Sequence, residues 1–103
     1  MLRVTILETS TEQKFVLEGK LTEPWVSDLE SAWNSTRQAR RGRMCIVDLR
    51  DITLVDESGK RILAAMCIEG VRFIAKGVNT RCLVEELEKE AHQVYTPVAR
   101  ERA

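Results

Sequence analysis

One histidine, His92, and three scattered cysteines are all that this sequence offers of the usual soft metal ligands. Cys45, Cys67 and Cys82 make no C-x-x-C pair of the kind a structural zinc site needs, and nothing sets His92 beside a thiol to form a nucleophile pair. They are odd in number and stand among apolar residues, in "RMCIVDL", "AAMCIEG" and "TRCLVEE", so reduced and buried side chains are expected. Long apolar runs are missing too. None approaches the roughly 18 residues that cross a bilayer, and "MLRVTILETSTEQK" lacks the apolar core and cleavage site of a secretory leader. The expected location is the cytoplasm, with no direct membrane insertion. Net charge is absent as well: 16 basic residues cancel 16 acidic ones, which leaves no long-range attraction to nucleic acid or to a membrane surface.

What the chain does have is the balance of a folded domain. At 103 residues, 44% hydrophobic and 31% charged, it is long enough for one core and too short for two. Residues 1–93 are expected to form that domain. The remainder, 94–103 ("VYTPVARERA"), carries a proline and a charged end and reads as a loosely held tail.

"RVTIL" (3–7) and "KFVLEG" (14–19) are strand-like runs separated by polar "ETSTEQ", a hairpin pattern with a rather long loop. Gly19 ends the second strand in this reading. Thr22-Glu23-Pro24 then supplies a capping hydroxyl, an acid and a first-turn proline for a helix running to about Ala39. Trp25, Leu29, Ala32, Trp33 and Thr36 share one face of that helix, which makes the tryptophans core anchors rather than a stacking platform for bases. It closes in "RQARRGR". Arg37, Arg40, Arg41 and Arg43 around Gly42 resemble a nucleic-acid patch, but cations and then glycine at a helix C-terminus explain them more simply.

"MCIVDL" (44–49) is a continuous apolar run, expected to be the central strand and to be covered on both faces. "RDITLVDES" reads as a turn and a brief extended segment, Ile52 to Val55. A second helix follows from Asp56 to Gly70, with Ile62, Leu63, Ala65 and Met66 inward and Lys60, Arg61 and Glu69 outward. "VRFIA" (71–75) is a fourth strand. Asn79 or Thr80 caps a third helix with Leu83, Val84 and Leu87 buried and Glu85, Glu86, Glu88, Lys89 and Glu90 solvated. The order predicts an α/β fold: a four-stranded mixed sheet, an N-terminal hairpin plus β-α-β units, with three helices packed on it.

Functional groups in such folds gather where a strand hands over to a helix, since the free amides of the first turn point outward. Two handovers carry suggestive residues: Gly19 to Pro24, and Asp56-Glu57-Ser58-Gly59. The second is thin as an enzyme site. Asp56 stands where G-x-S-x-G needs glycine, Ser58-Gly59-Lys60 has the wrong order and too few glycines for a phosphate loop, and adjacent carboxylates at a helix start diverge. As a helix start it is good: Asp56 caps, Glu57 suits the dipole, and Ser58 is an alternative cap. No enzyme activity, cofactor or metal is expected.

"CIVDLRDITLVDESGKRILAAM" (45–66) resembles the signature of the STAS domain, shared by sulfate-transporter tails and bacterial anti-sigma-factor antagonists. There an apolar strand and "DL" lead through a short connection to D-S-S-G or D-S-T-G and a helix. Asp48-Leu49, Leu54-Val55, Asp56, Ser58 and Gly59 match, and "FVLEGKLT" is similar to the family's second strand. The resemblance implies a small sheet with helices on it and no catalysis of its own. In antagonists the serine after the Asp is phosphorylated by a kinase that is also the anti-sigma factor. Here that position is Glu57, a permanent negative charge roughly where the phosphate would lie. Ser58 remains as a candidate phosphate acceptor, the counterpart of the motif's second hydroxyl, although a phosphate on it would crowd Asp56 and Glu57. Lys60 and Arg61 depart from the family's leucine and small residue, and are expected outward.

The resemblance therefore implies a bacterial regulatory module that binds a protein partner, a serine-kinase-like anti-sigma factor or another regulator, through Asp56, Glu57, Ser58, Gly59, Lys60 and Arg61. A soluble accessory subunit of a lipid or anion transporter is the alternative. Small-ligand binding at the strand ends has no glycine-rich cradle behind it, and a homodimer is left open.

Overall fold

The structure is a computed structural model, described for residues 1–78 and 80–89. It is a four-stranded mixed sheet carrying helices, in the expected order. The strands β1 (Leu2–Glu8) and β2 (Glu12–Leu21) form an antiparallel hairpin, in register from Leu2 opposite Gly19 to Glu8 opposite Gln13. Both are longer than the sequence runs suggest, and the connection shrinks to three residues. Thr9 makes this turn: its hydroxyl oxygen accepts the Glu12 amide at 3.0 Å and its own amide donates to the Glu12 carbonyl at 2.8 Å.

Gly19 does not end β2. It lies at a register irregularity with φ of +103°, and a β-carbon there would collide with the Met1 carbonyl oxygen, so glycine lets the strand bend and continue to Leu21. The next helix starts later than expected. α1 spans Val26–Ser35, and Thr22 contributes its carbonyl, which accepts the Trp25 and Val26 amides, instead of its hydroxyl. Its far end is earlier too: Thr36 turns the chain, and a short 3-10 segment, Gln38–Arg40, replaces the last α turn. Leu29 and Trp33 are buried as the spacing predicts, Trp25 only partly, and Val26 joins them.

β3 (Met44–Val55) is the central strand, parallel to β2 on one side and to β4 (Arg72–Ile74) on the other. The turn expected after Leu49 is absent. Arg50 and Asp51 look like turn residues, yet both are exposed strand positions, and β2 beyond its irregularities pairs with the whole second half, to Leu21 opposite Val55. After β3 come α2 (Glu57–Ile68) and, beyond β4, a third helical segment over 80–89. Asn79 and the expected tail lie outside the described residues, as do His92 and Glu90.

Each strand from β2 onward is laid beside the previous one in the same direction, β1-β2-β3-β4. Right-handed crossovers then put α1 and α2 on the same face. Phe15, Leu17, Val47 and Leu49 from that face meet Leu29, Trp33, Leu63, Met66, Val84 and Leu87 from the helices in one core. Val16, Ile46 and Ile74 belong to the other face and lie outside this cluster, so among the described residues the central strand is not covered by helices on both sides. Two smaller expectations also change: Ala65 is exposed on α2, and Cys82 is exposed on the third helix while Cys45 is buried and Cys67 half-buried.

Candidate functional site

The handover from β3 to α2 is held by one side chain. Asp56 takes the extended backbone of a cap, and its Oδ1 accepts the Gly59 amide at 2.8 Å. Its Oδ2 accepts the Glu23 amide at 2.9 Å, and its own amide donates to the Leu21 carbonyl at 3.2 Å. A single carboxylate thus ties the start of α2 to the segment that leads into α1. These donated amides, Glu23 first and Gly59 second, hold its pKa below the ordinary carboxylate value.

Gly59 serves this site from inside. It is buried, and a β-carbon on it would collide with the Leu21 carbonyl oxygen and come within 2.9 Å of Val55 Cγ1. Glycine therefore permits the first turn of α2 to lie against the end of β2, and it offers a partner no contact of its own. Glu57 and Arg61 are exposed and Asp56, Ser58 and Lys60 partly so, which makes these five the outward surface.

Glu57 and Ser58 diverge, as adjacent positions on a helix start must. Glu57 lines a hollow of about 210 Å³ between α2 and the third helix, with Ala64, Leu83 and Glu86. Ser58 lines another of about 280 Å³ between α1 and α2, with Glu23, Ser27 and Glu30. Arg61 borders both. Lys60 lies 3.7 Å from Glu57 and also reaches a third hollow of about 320 Å³, lined by Leu49, Ile52, Leu54 and Leu83. Glu23 belongs to the Gly19–Pro24 handover that the sequence marks, and the structure brings that handover and the α2 start together. Ser27, Glu30 and Glu86 have no signal in the sequence beyond polarity on their helices, which any solvated position shares.

Asp48 has a different task from Asp56. It is 4% exposed on the far face of the sheet, where Arg50 grips both oxygens, Nη2 to Oδ2 at 2.7 Å and Nε to Oδ1 at 3.0 Å, with Lys14 at 4.0 Å. The Arg50 hydrogen bonds lower its pKa. It is a structural ion pair on the central strand, away from the α2 start.

Ser58 makes no hydrogen bond to a base among the described residues, and no group of three potential metal ligands occurs among them. No described helix is long and apolar enough to cross a membrane. What the α2 start presents is two carboxylates, one hydroxyl and two cations around a capped first turn.

Comparison with known proteins gives a fold and nothing finer. No family model and no curated protein matches the chain. Among solved structures it is similar to Mglu, with a TM-score of 0.56 and 17% identity over 72% of this chain, and it spans only 19% of the Mglu chain. It is also similar to an uncharacterized protein of the DUF3478 family from Shewanella loihica, described as having a SpoIIAA-like fold, with a TM-score of 0.50 and 16% identity over 75% of this chain and 68% of that one. The mixed four-stranded sheet with three helices is thus an α/β fold of the SpoIIAA-like kind.

Proposed function

We propose that this protein is a non-enzymatic, cytoplasmic interaction module of bacterial regulation, working as anti-sigma-factor antagonists do by docking a protein partner on the α2 start. The observation that carries the proposal is the double tether of Asp56, which ties the start of α2 to the segment leading into α1 and so pre-forms the backbone beneath Glu57, Ser58, Lys60 and Arg61. A pre-formed surface loses little conformational entropy on docking. Glu57 occupies the position that is a phosphorylated serine in antagonists, so the module is held in one charge state instead of being switched.

Ser58 is not the substitute switch in this proposal. A phosphate there adds a charge of about −1.5 to −2 to a hollow that already holds Glu23 and Glu30, against Arg61 alone.

The test is Glu57→Ser, offered with ATP to the cognate kinase and assayed for partner binding. Phosphate on residue 57 and altered binding are expected, with Ser58 unmodified in both forms. If neither phosphorylation nor binding changes, the fixed-charge idea fails. Partners captured by the wild-type protein and lost with Arg61→Glu identify the surface. Capture of a membrane ATPase or permease on that surface would instead make the protein a transporter subunit.

A further inference from the structure

At the opposite end of the sheet the four arginines of "RQARRGR" do more than close a helix. Arg37, Arg40, Arg41 and Arg43 line one hollow of about 300 Å³, with Glu69 at the end of α2 as the single acid in its wall. Two of the four are already paired: Arg37 Nη1 with Glu69 Oε1 at 3.4 Å, and Arg43 Nη1 with Glu8 Oε2 at 2.8 Å. Arg41 is exposed and has no ion pair among the described residues. Arg40 lies 3.4 Å over the centroid of the buried Trp33 ring, donates from Nη1 to the Trp33 carbonyl at 2.6 Å, and keeps a buried Nη2 that donates to nothing.

We propose that this hollow binds a small ligand through a phosphate or diphosphate group. Guanidinium forks match phosphate oxygens in pairs, and the four arginines line a space at the lower end of ligand-pocket volumes. Arg41 has no carboxylate opposite it and stands among three other guanidinium groups, while Arg40 feels both the attraction of Glu69 and the weaker repulsion of Arg37. An oxyanion relieves that crowding. The face of Trp33 is covered by Arg40, so no aromatic surface is left for a base, and recognition falls on the phosphates alone. The chain's zero net charge hides this concentration, and a helix-end explanation accounts for Arg40, which donates to the Trp33 carbonyl near the end of α1, but not for Arg41.

The probe is inorganic pyrophosphate, added to the full chain at constant ionic strength and compared with chloride. Thermal stabilisation by pyrophosphate is expected in the wild type. Arg41→Ala should weaken the apparent affinity by about tenfold or more, the worth of one charge-assisted hydrogen bond. Glu69→Gln, which removes the competing acid, should strengthen it, and Lys60→Ala at the other end should leave it unchanged. Arg40→Ala is avoided because it also strips the cover from Trp33. No stabilisation beyond chloride overturns the proposal, as does stabilisation indifferent to Arg41→Ala or lost with Lys60→Ala. Binding of a single-stranded oligonucleotide through the same arginines, with no response to pyrophosphate, would replace the small ligand by a nucleic acid.

Discussion

At the residue scale, Asp56 and Gly59 are two halves of one joint, and they differ in how readable they were. A carboxylate before a helical pattern announces a cap by type and position, so Asp56 was legible. Gly59 looked like one more element of a partner motif, because the Leu21 carbonyl that forbids a β-carbon is far away in sequence. Gly59→Ala should therefore cost about 1–3 kcal/mol by overpacking, although alanine is the better helix former. Chemical denaturation measures this, and a neutral or stabilising outcome would mean that α2 does not sit so close to β2.

Acid should expose both carboxylate tethers. Asp48 and Asp56 have folded pKa values below their unfolded ones, Asp48 through Arg50 and Asp56 through the Glu23 and Gly59 amides. The sign follows by linkage: the unfolded chain takes up protons first, so their contribution is complete above about pH 4 and is lost as pH falls through the folded values. Unfolding free energy measured from pH 6 downward should fall below about pH 4. In Asp48→Asn that slope should be shallower, since one of the two groups no longer titrates.

At the element scale, β3 shows where pattern and structure part. "RD" after "MCIVDL" has turn composition, and a strand reading stopped there. The pairing that keeps the chain extended is supplied by β2, itself lengthened by the bend at Gly19, and no local window contains both. Arg50 then has a reason to be in a strand: two residues after Asp48 it points to the same side and closes on its carboxylate. Amide hydrogen exchange separates the alternatives. A continuous strand predicts protection running past Arg50 at the alternate amides that β2 pairs within 51–55, below the level at 46–48 where β4 pairs as well, whereas a turn predicts rapid exchange throughout 50–53. The shortening of α1 was equally hidden, because Thr22 has a fine capping side chain but contributes only its carbonyl.

At the scale of the molecule, element order and sheet type were legible because strand-helix-strand repeats and right-handed crossovers leave few options. The one-sided layering was not, since the apolar Ile46 and Val47 look alike in sequence while only Val47 faces the helices. The parallel strands also run from an arginine-lined end to an end where Asp56 and Glu57 stand beside Lys60 and Arg61, an uneven placing of charge that zero net charge conceals.

Because the core is a single cluster reaching Val84 and Leu87, the third helix should be part of the same folding unit as α1, although it follows β4, the shortest strand. Leu87 is 3% exposed and shares that cluster with Trp33, so removing its side chain withdraws packing from the common core. Leu87→Ala should cost about 2–5 kcal/mol. Its effect should appear equally in far-ultraviolet circular dichroism, which reports every helix, and in tryptophan fluorescence, which reports only Trp25 and Trp33 beside α1. Coincident midpoints, both lowered, are the expected result. A fluorescence midpoint left at its wild-type value while the helical signal falls early would make the third helix an appendage and the core smaller than drawn.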